Sequence, residues 1–337
     1  MLQELNQWPK KLKDGLDLAY NFHYRLGGQL PTNINKIAFV GMGGSGIAGR
    51  MVKTFLNKKS NIPSFVIDTP TVPEFIDGAT LVFVISYSGN TWETIDILKK
   101  LTKQFIPTVV LSHGGKIAEI AEDKNLPFVL IPKSIQPRAA LGNFLGFILG
   151  FLSILDLLPE GKDIVDTFVK QAELHIPKFD KGEAVFDDFL NIAKNYDFFH
   201  VWGVSGDTAS FAYRAQTQFN ENSKIQAVSS YFPECCHNLL NGFAKFNTKP
   251  LVLLFYTDFL TANLDRAIQA TSELLEQEGV VLYKPPVLGD NWEGQLFYTI
   301  LWSDFASMHL GKMRGVDVDR VEFIEKLKEK HKTKGIK

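Results

Sequence analysis

Three hydroxyl side chains stand close together where one apolar run of the sequence gives way to a helical pattern. Ser86, Ser88 and Thr91 follow the apolar residues 81–85. Hydroxyl groups donate hydrogen bonds to phosphate oxygens, and the backbone amides and dipole of a helix N-terminus add to the attraction. We therefore predict that this turn holds a phosphate monoester. The alternative is a turn that only caps its helix.

A glycine-rich turn lies earlier in the chain and predicts further contacts to an anion. Gly41, Gly43 and Gly46 satisfy the G-x-G-x-x-G pattern after an apolar run and before a helical pattern. Such a turn binds anions through backbone N–H groups at the start of the helix. We expect Gly43, Gly44 and Ser45 to contact the same phosphate.

The glycine pattern also leaves a dinucleotide-binding interpretation open. Asp68 ends the next apolar run, about where an acid binds a ribose in dinucleotide folds. Under that interpretation the protein is a nicotinamide-dependent oxidoreductase. The P-loop of nucleoside triphosphatases is excluded, because Ile47 occupies the position of the required lysine.

Strand and helix patterns alternate along the chain in two series, which predicts βαβ units and mostly parallel sheets. We expect an α/β fold of two tandem doubly wound parallel sheets, with residues 1–157 and 184–337 as domains and 158–183 as a helical connector. Both series open with an apolar run, a glycine turn and a Ser-Gly pair, which indicates internal duplication. The predicted strands are residues 37–40, 64–67, 81–85, 108–111, 128–131, 198–202, 250–255 and 280–283, and the predicted helices are 1–26, 47–56, 92–101, 116–122, 208–219, 260–278 and 294–311.

Composition narrows the class of protein. The 337 residues include 36 Lys and Arg against 37 Asp and Glu, without the basic excess typical of nucleic-acid binders. The two cysteines, Cys235 and Cys236, are adjacent, which excludes a disulfide framework and favours a reducing compartment. Residues 139–158 are apolar enough to suggest a membrane span, but Asn143 and Asp156 interrupt them. We expect a cytoplasmic protein that binds neither nucleic acid nor membrane.

The motifs together resemble a known family. Ser-Tyr-Ser-Gly-Asn-Thr at residues 86–91 is similar to the signature loop of sugar isomerase (SIS) domains, which bind phosphosugars. Asn-Glu-Asn-Ser-Lys at 220–224 and Pro-Glu-Cys-Cys-His-Asn at 233–238 resemble segments of the bifunctional phosphoglucose/phosphomannose isomerases. The resemblance covers nearly the whole chain. It implies two SIS (flavodoxin-like) domains and interconversion of glucose 6-phosphate and fructose 6-phosphate, with mannose 6-phosphate as a further substrate.

The resemblance also implies roles for particular side chains. Glu221 is the base that moves a proton between C1 and C2 through a cis-enediol. His237 opens the sugar ring in the site of a partner subunit, so a homodimer with its active sites at the subunit interface is implied. Arg138 stabilises the enediolate, and Lys326, with Lys328 as the alternative, enters the site from the last helix.

Structural alternatives stay open for these residues. Glu221 could pair only with Lys224, Arg138 could lie on the surface beside the apolar segment, and His237 could be a buried structural histidine. A phosphosugar sensor without catalysis is the other function considered, and the presence of both Glu221 and His237 favours catalysis.

Two departures from the family pattern bear on substrate and metal. Asp319 stands where the family often has a threonine associated with room for both C2 epimers, which puts mannose 6-phosphate in doubt. Cys235 and Cys236 differ from the residues usual at their positions. Adjacent cysteines cannot easily ligate one tetrahedral ion, so we expect no metal and no cofactor.

Overall fold

A computed structural model describes residues 1–28, 30–182, 184–244 and 249–333 of the chain. Within these residues the strands form two sheets, in which every pairing is parallel. The strands are β1 (Lys36–Val40), β2 (Ser64–Ile67), β3 (Thr80–Ile85), β4 (Thr108–Ser112), β5 (Phe128–Leu130), β6 (Phe198–Val204), β7 (Gln226–Phe232), β8 (Leu251–Leu254) and β9 (Leu282–Tyr283).

The two sheets share one topology. The strand order is β2-β1-β3-β4-β5 in the first sheet and β7-β6-β8-β9 in the second. In each sheet the first strand along the chain lies between the second and the third. This repeated order confirms the predicted α/β fold with two doubly wound sheets, and it agrees with the predicted duplication.

Strand β7 is the one that the sequence analysis did not predict. It pairs with β6 at the edge of the second sheet. Three of its residues are exposed, namely Gln226, Ser229 and Tyr231, and Ser230 is half-buried. An edge strand that faces water lacks the continuous apolar run by which buried parallel strands are found.

Helices connect the strands and pack on both sheets. They are α1 (Leu2–Leu5), α2 (Trp8–Leu26), α3 (Gly43–Lys59), α4 (Trp92–Lys103), α5 (Lys116–Asp123), α6 (Leu141–Ile154), α7 (Gly161–Asp180), α8 (Asp187–Ala193), α9 (Ala209–Gln218), α10 (Ala262–Gln277), α11 (Trp292–Met313) and α12 (Glu322–Thr333).

The amino-terminal segment forms two helices instead of the single one predicted over residues 1–26. Helix α1 ends before Asn6, and α2 begins at Trp8 with Pro9 in its first turn. A helix tolerates proline there, because the first N–H groups have no intrahelical acceptor.

The apolar segment weighed as a membrane span is the buried helix α6. The stretch Pro137–Ile154 is long and apolar enough to cross a membrane, but 83% of it is buried inside the protein. Glycines let α2 approach it closely: a Cβ on Gly146 would lie 2.2 Å from the carbonyl oxygen of Leu12, and one on Gly15 would lie 2.5 Å from that of Asn143. Helix α6 is therefore a core helix against which α2 packs.

One hydrophobic core extends through both halves of the chain. Its buried residues come from β1 and β3, from β6 and β8, and from the helices α2, α6, α7 and α11. Helix α7 lies within the predicted connector and contributes Phe168 and Phe179 to this core. The predicted domain limits stay a prediction, and the boundary residue Glu183 lies outside the described residues.

Candidate active site

The glycine turn after β1 opens directly into helix α3. Gly43 has a left-handed φ of +52° and is the first residue of the helix. A Cβ on Gly46 would lie 2.4 Å from the carbonyl oxygen of Gly41, so the turn closes tightly only with glycine there. Gly43 is exposed and Gly44 is half-buried, whereas the N–H groups of Ser45 and Gly46 already donate to the carbonyl oxygen of Met42.

The hydroxyl turn after β3 is joined to this glycine turn. The Ser45 hydroxyl accepts a hydrogen bond of 3.1 Å from the backbone N–H of Tyr87. Within the turn, the Ser86 hydroxyl lies 3.4 Å from that of Thr91, and Ser88 is exposed. The structure therefore brings the predicted phosphate contacts to one edge of the first sheet, at the carboxyl ends of β1 and β3.

The start of α4 corrects one detail of this turn. Asn90 with Glu93 three residues later has the pattern of a capping box, which predicts Asn90 as the N-cap, but the N-cap residue of the helix is Thr91. The Asn90 side chain donates to the carbonyl of Ser88 and accepts from the backbone N–H of Lys116. Its amide is used to join two loops, so it is not available to cap the helix.

Arg138 and Glu221 form a hydrogen-bonded ion pair beside the glycine turn. The Nη1 of Arg138 lies 3.0 Å from Oε2 of Glu221, and the Arg138 side chain is only 2% exposed. The backbone of Arg138 packs on Gly44, whose Cβ, if present, would lie 3.4 Å from the Arg138 Cα. The interpretation of Arg138 as a surface residue is therefore wrong, and the predicted phosphate turn and the predicted base lie on two sides of the same arginine.

The Arg138 guanidinium is held on every side. Its Nε donates to Oδ1 of Asn222 at 3.1 Å, and its Nη2 donates to the carbonyl oxygen of Val318 at 2.9 Å. Burial lowers the pKa of Arg138, and the Glu221 carboxylate opposes that effect. The group stays charged nonetheless, because an arginine titrates far above neutral pH. The Arg138 cation is therefore fixed in place, with its Nη1 directed at Glu221.

Glu221 lies in a short π-helical turn, Phe219–Ser223, that continues α9. Asn222 donates to the Ser307 hydroxyl at 2.9 Å, and Ser223 donates to the Ser307 carbonyl at 2.6 Å, so α11 anchors the turn. The Glu221 side chain is 25% exposed and can reach a ligand. Lys224 bonds the backbone carbonyl of Glu221 and not its carboxylate, so the alternative of a Glu221–Lys224 ion pair is wrong. π-Helical turns are frequent at functional sites.

His237 lies far from Glu221 within one chain. The turn that carries Glu221 is bonded to the start of β7, where Asn220 accepts from the backbone N–H of Ala227 at 2.7 Å. His237 follows the other end of this strand and is exposed. A strand of this length spans about 20 Å. The buried structural role considered for His237 is therefore wrong, and a single chain does not bring the two predicted catalytic residues together.

Lys326 and Lys328 on the last helix are exposed to solvent. The Lys326 side chain on α12 is 66% exposed, and its Nζ lies 4.0 Å from Oε2 of Glu322 on the same helix. No described contact joins Lys326 to Arg138 or Glu221.

Comparison with known proteins identifies the family. Residues 32–125 match the SIS domain, and residues 190–330 match the carboxyl-terminal SIS domain of bacterial phosphoglucose isomerases. The bifunctional phosphoglucose/phosphomannose isomerase of Thermoplasma acidophilum is 31% identical to this chain over 97% of both. This chain belongs to that isomerase family.

Further relatives agree with this assignment. The bifunctional phosphoglucose/phosphomannose isomerase of Aquifex aeolicus is 31% identical over 88% of this chain and 90% of its own. Among solved structures, the tagatose-6-phosphate ketose/aldose isomerase of Escherichia coli superposes with a TM-score of 0.64 at 14% identity, covering 94% of this chain and 93% of that one. That structure shares the fold.

Asp68 and Cys235 lie in surroundings that do not favour the binding of a cofactor or a metal ion. Asp68, the predicted ribose-binding acid, forms an ion pair with Arg50. Burial raises the pKa of the Cys235 thiol to about 12, which makes it a poor metal ligand at neutral pH. Among the described residues, no group of three or more His, Cys, Asp or Glu side chains could hold a metal ion.

Some contacts of the site have no signature in the sequence. The carbonyl oxygens of Val318 and Asp319 accept from Arg138, but every residue carries such an oxygen. Asn222 is different, because it follows Glu221 in the Asn-Glu-Asn segment, and a polar residue next to the predicted base can be recognised in the sequence as a candidate for hydrogen bonding in the site. Its contact with Arg138 was not among the predictions.

Proposed function

We propose that this chain is an aldose–ketose isomerase that interconverts glucose 6-phosphate and fructose 6-phosphate through a cis-enediol. The observation that carries the proposal is the Arg138–Glu221 pair, 3.0 Å apart, next to a turn suited to a phosphate. A carboxylate and a fixed cation at the same carbon atoms are what proton transfer through an enediol requires. The names of the curated relatives agree with this substrate class.

In this mechanism the protein holds the substrate by its phosphate group. The backbone amides of the glycine turn and the hydroxyls of the following loop bind it, and the helix dipoles of α3 and α4 favour its charge. Since this part of the substrate does not react, it serves to place C1 and C2 beside the base. The proposed phosphate ligands are Gly43, Gly44, Ser45, Ser86, Ser88 and Thr91.

Glu221 then takes the proton from C2 of the aldose and returns it to C1. The negative charge that develops on the enediolate oxygen lies next to the Arg138 guanidinium, which is already held in place by Asn222 and the Val318 carbonyl. A cation that needs no rearrangement stabilises such an intermediate more than one that must move. The return of the proton to C1, together with transfer of the hydroxyl proton from O2 to O1, gives the ketose.

Ring opening requires a second acid–base group, and we propose His237 of the partner subunit. The supporting observation is the position of His237, at the opposite end of β7 from Glu221 and exposed. A homodimer in which each subunit lends its His237 to the other would complete both sites. Lys326 is proposed to approach the same site from α12.

Mannose 6-phosphate is the second substrate to test. Asp319 stands beside the site, since its carbonyl lies 3.4 Å from Nη2 of Arg138. The Asp319 carboxylate pairs with the Met1 amino group at 2.7 Å, and its charge reaches Arg138. The family often has at this position a threonine associated with room for both C2 epimers, so a carboxylate here disfavours the second epimer. We therefore propose slower turnover of mannose 6-phosphate than of glucose 6-phosphate. The cytoplasm is the proposed location, since two thiols suit a reducing compartment.

The test is the conversion of fructose 6-phosphate by the purified protein, without added metal or nucleotide, with both aldose 6-phosphates followed by NMR. Formation of glucose 6-phosphate supports the proposal, and mannose 6-phosphate formed beside it would show that Asp319 does not exclude the second epimer. Binding of fructose 6-phosphate without any product would instead favour a sensor. A folded protein that neither binds nor converts it would overturn the proposal.

A further inference from the structure

A buried ion pair lies directly behind the proposed active site. Arg214 on α9 and Asp304 on α11 are joined by two hydrogen bonds, from Nε to Oδ1 at 3.0 Å and from Nη2 to Oδ2 at 2.8 Å. Their side chains are 1% and 0% exposed, so neither can touch a substrate.

The ion pair is connected to Arg138 through the backbone. The Nη2 of Arg214 also donates to the carbonyl oxygen of Arg138 at 3.3 Å. A second buried cation, Lys11, donates to the next carbonyl, that of Ala139, at 2.7 Å. The short 3₁₀ turn that carries Arg138 is thus held by charged donors on two successive carbonyl groups.

Stability alone is a weak account of this arrangement. Two charges taken fully out of water are costly, and an apolar pair of similar volume often stabilises a fold as well or better. The directional hydrogen bonds of a planar guanidinium fix distances and angles that apolar packing does not. Here they fix the backbone of the residue whose side chain contacts Glu221.

We infer that the Arg214–Asp304 pair is a positioning device for the isomerase reaction: it sets where the Arg138 guanidinium stands against Glu221. This inference rests on the proposed function, since it concerns the same site. Arg214 and Asp304 lie on α9 and α11, whereas Arg138 precedes α6, so the pair also ties the catalytic arginine of the first half to the base of the second.

The test compares Arg214→Lys and Asp304→Asn with the wild-type enzyme. Lysine keeps the charge, but it cannot form the two-point contact with Asp304 and is one bond too short to reach the position of Nη2, which also bonds the Arg138 carbonyl. Asparagine keeps the shape of Asp304 without its charge. We expect kcat to fall about tenfold to a hundredfold, as for a small misplacement of a catalytic group. The KM for fructose 6-phosphate should change less than about threefold, because the phosphate turns are held separately.

A matched control separates positioning from lost stability. Trp8→Phe removes the other donor to Asp304, whose Nε1 lies 3.3 Å from Oδ2, and leaves both Arg214 bonds in place. We expect this variant to lose stability but to keep kcat. An equal loss of kcat in Trp8→Phe and Arg214→Lys would make the ion pair merely structural. If Arg214→Lys does not fold, Asp304→Asn carries the same comparison.

A double variant tests whether the effect passes through Arg138. In an Arg138→Lys background, Arg214→Lys should lower kcat little further, because the group that it positions is already gone. Fully multiplicative losses would overturn the inference. A wild-type protein that fails to convert fructose 6-phosphate refutes the proposed function and this role with it, whereas an active wild type with an unaffected Arg214→Lys variant refutes this role alone.

Discussion

Glu221 and His237 lie at opposite ends of strand β7, although both belong to the predicted catalytic set. The strand fixes their separation, since a parallel strand in a packed sheet cannot shorten. This separation supports the proposal that a site using both side chains draws them from two chains.

Mixed dimers test this arrangement. Glu221→Gln and His237→Ala homodimers should both be nearly inactive. After the two are unfolded and refolded together in equal amounts, half of the dimers are mixed, and each mixed dimer has one intact site. We expect activity to recover to about a quarter of the wild-type value by random pairing in a two-fold dimer. No recovery in correctly refolded mixed dimers would mean that both residues act within one chain.

The base itself is tested by Glu221→Gln. Glutamine keeps an acceptor for Arg138 but cannot take a proton, so kcat should fall by about 10²–10⁴-fold. Binding of fructose 6-phosphate, measured by calorimetry, should persist. Glu234→Gln is the matched control, since Glu234 is exposed and bonds Asn238, and it should keep wild-type kcat. Loss of binding together with kcat in a folded Glu221→Gln protein would assign Glu221 another role.

The hydroxyl turn is tested by Ser86→Ala and Ser88→Ala. A hydrogen bond to a charged phosphate contributes about 1.5–3 kcal/mol, so each change should raise KM about tenfold to a hundredfold. The chemical step should be little affected, because the phosphate contacts are the same before and during the reaction. Ser153→Ala is the control: its hydroxyl donates to the carbonyl of Pro159, outside the site. An unchanged KM in both variants would remove this turn from the phosphate site.

Asp207 in the second glycine turn predicts a pH dependence of stability. Its carboxylate accepts from Thr257 and Trp292, each at 2.8 Å, yet burial raises its pKa above the usual 3.8. The folded state thus holds the proton more tightly than the unfolded state, and ionisation destabilises the fold. The free energy of unfolding of the wild type should fall, relative to that of Asp207→Asn, as the pH rises from about 3.8 through the raised value.

Denaturant titrations of both proteins between pH 4 and pH 7 measure this difference. Asp17→Asn, at an exposed position on α2, provides the control for the substitution itself. A difference between wild type and Asp207→Asn that stays constant with pH would show that the Asp207 proton is not linked to folding.

The glycine turns and the buried strands were predictable, because residues close together in the sequence determine their structure. A tight turn before a helix requires glycine, and buried parallel strands are short apolar runs. Arg138 and Glu221 were each assigned from a resemblance, and their contact was not foreseen. Two residues separated by 83 positions meet only because the turn before α6 packs against the end of α9, and such a contact depends on the whole fold.

The role of Asn90, strand β7 and the Arg214–Asp304 pair were not predicted, because each depends on contacts with residues distant in the sequence. Asn90 has the side chain of a helix cap, but a neighbouring loop takes its amide. The edge strand β7 has polar positions typical of a loop, and its pairing with β6 decides its structure. The ion pair of Arg214 and Asp304 joins two helices whose patterns show only that both are partly apolar.

Arg138 lies in neither of the two regions that match known domains, residues 32–125 and 190–330. It lies just before α6 in the first half of the chain, and its partner Glu221 lies in the second half. If Arg138 and Glu221 act together as proposed, neither half of the chain carries the reactive pair by itself. Exchanging one half for that of a distant relative would pair Arg138 with a glutamate, or Glu221 with an arginine, from another protein. We therefore expect the two halves to be exchanged only together if the contact is to be kept.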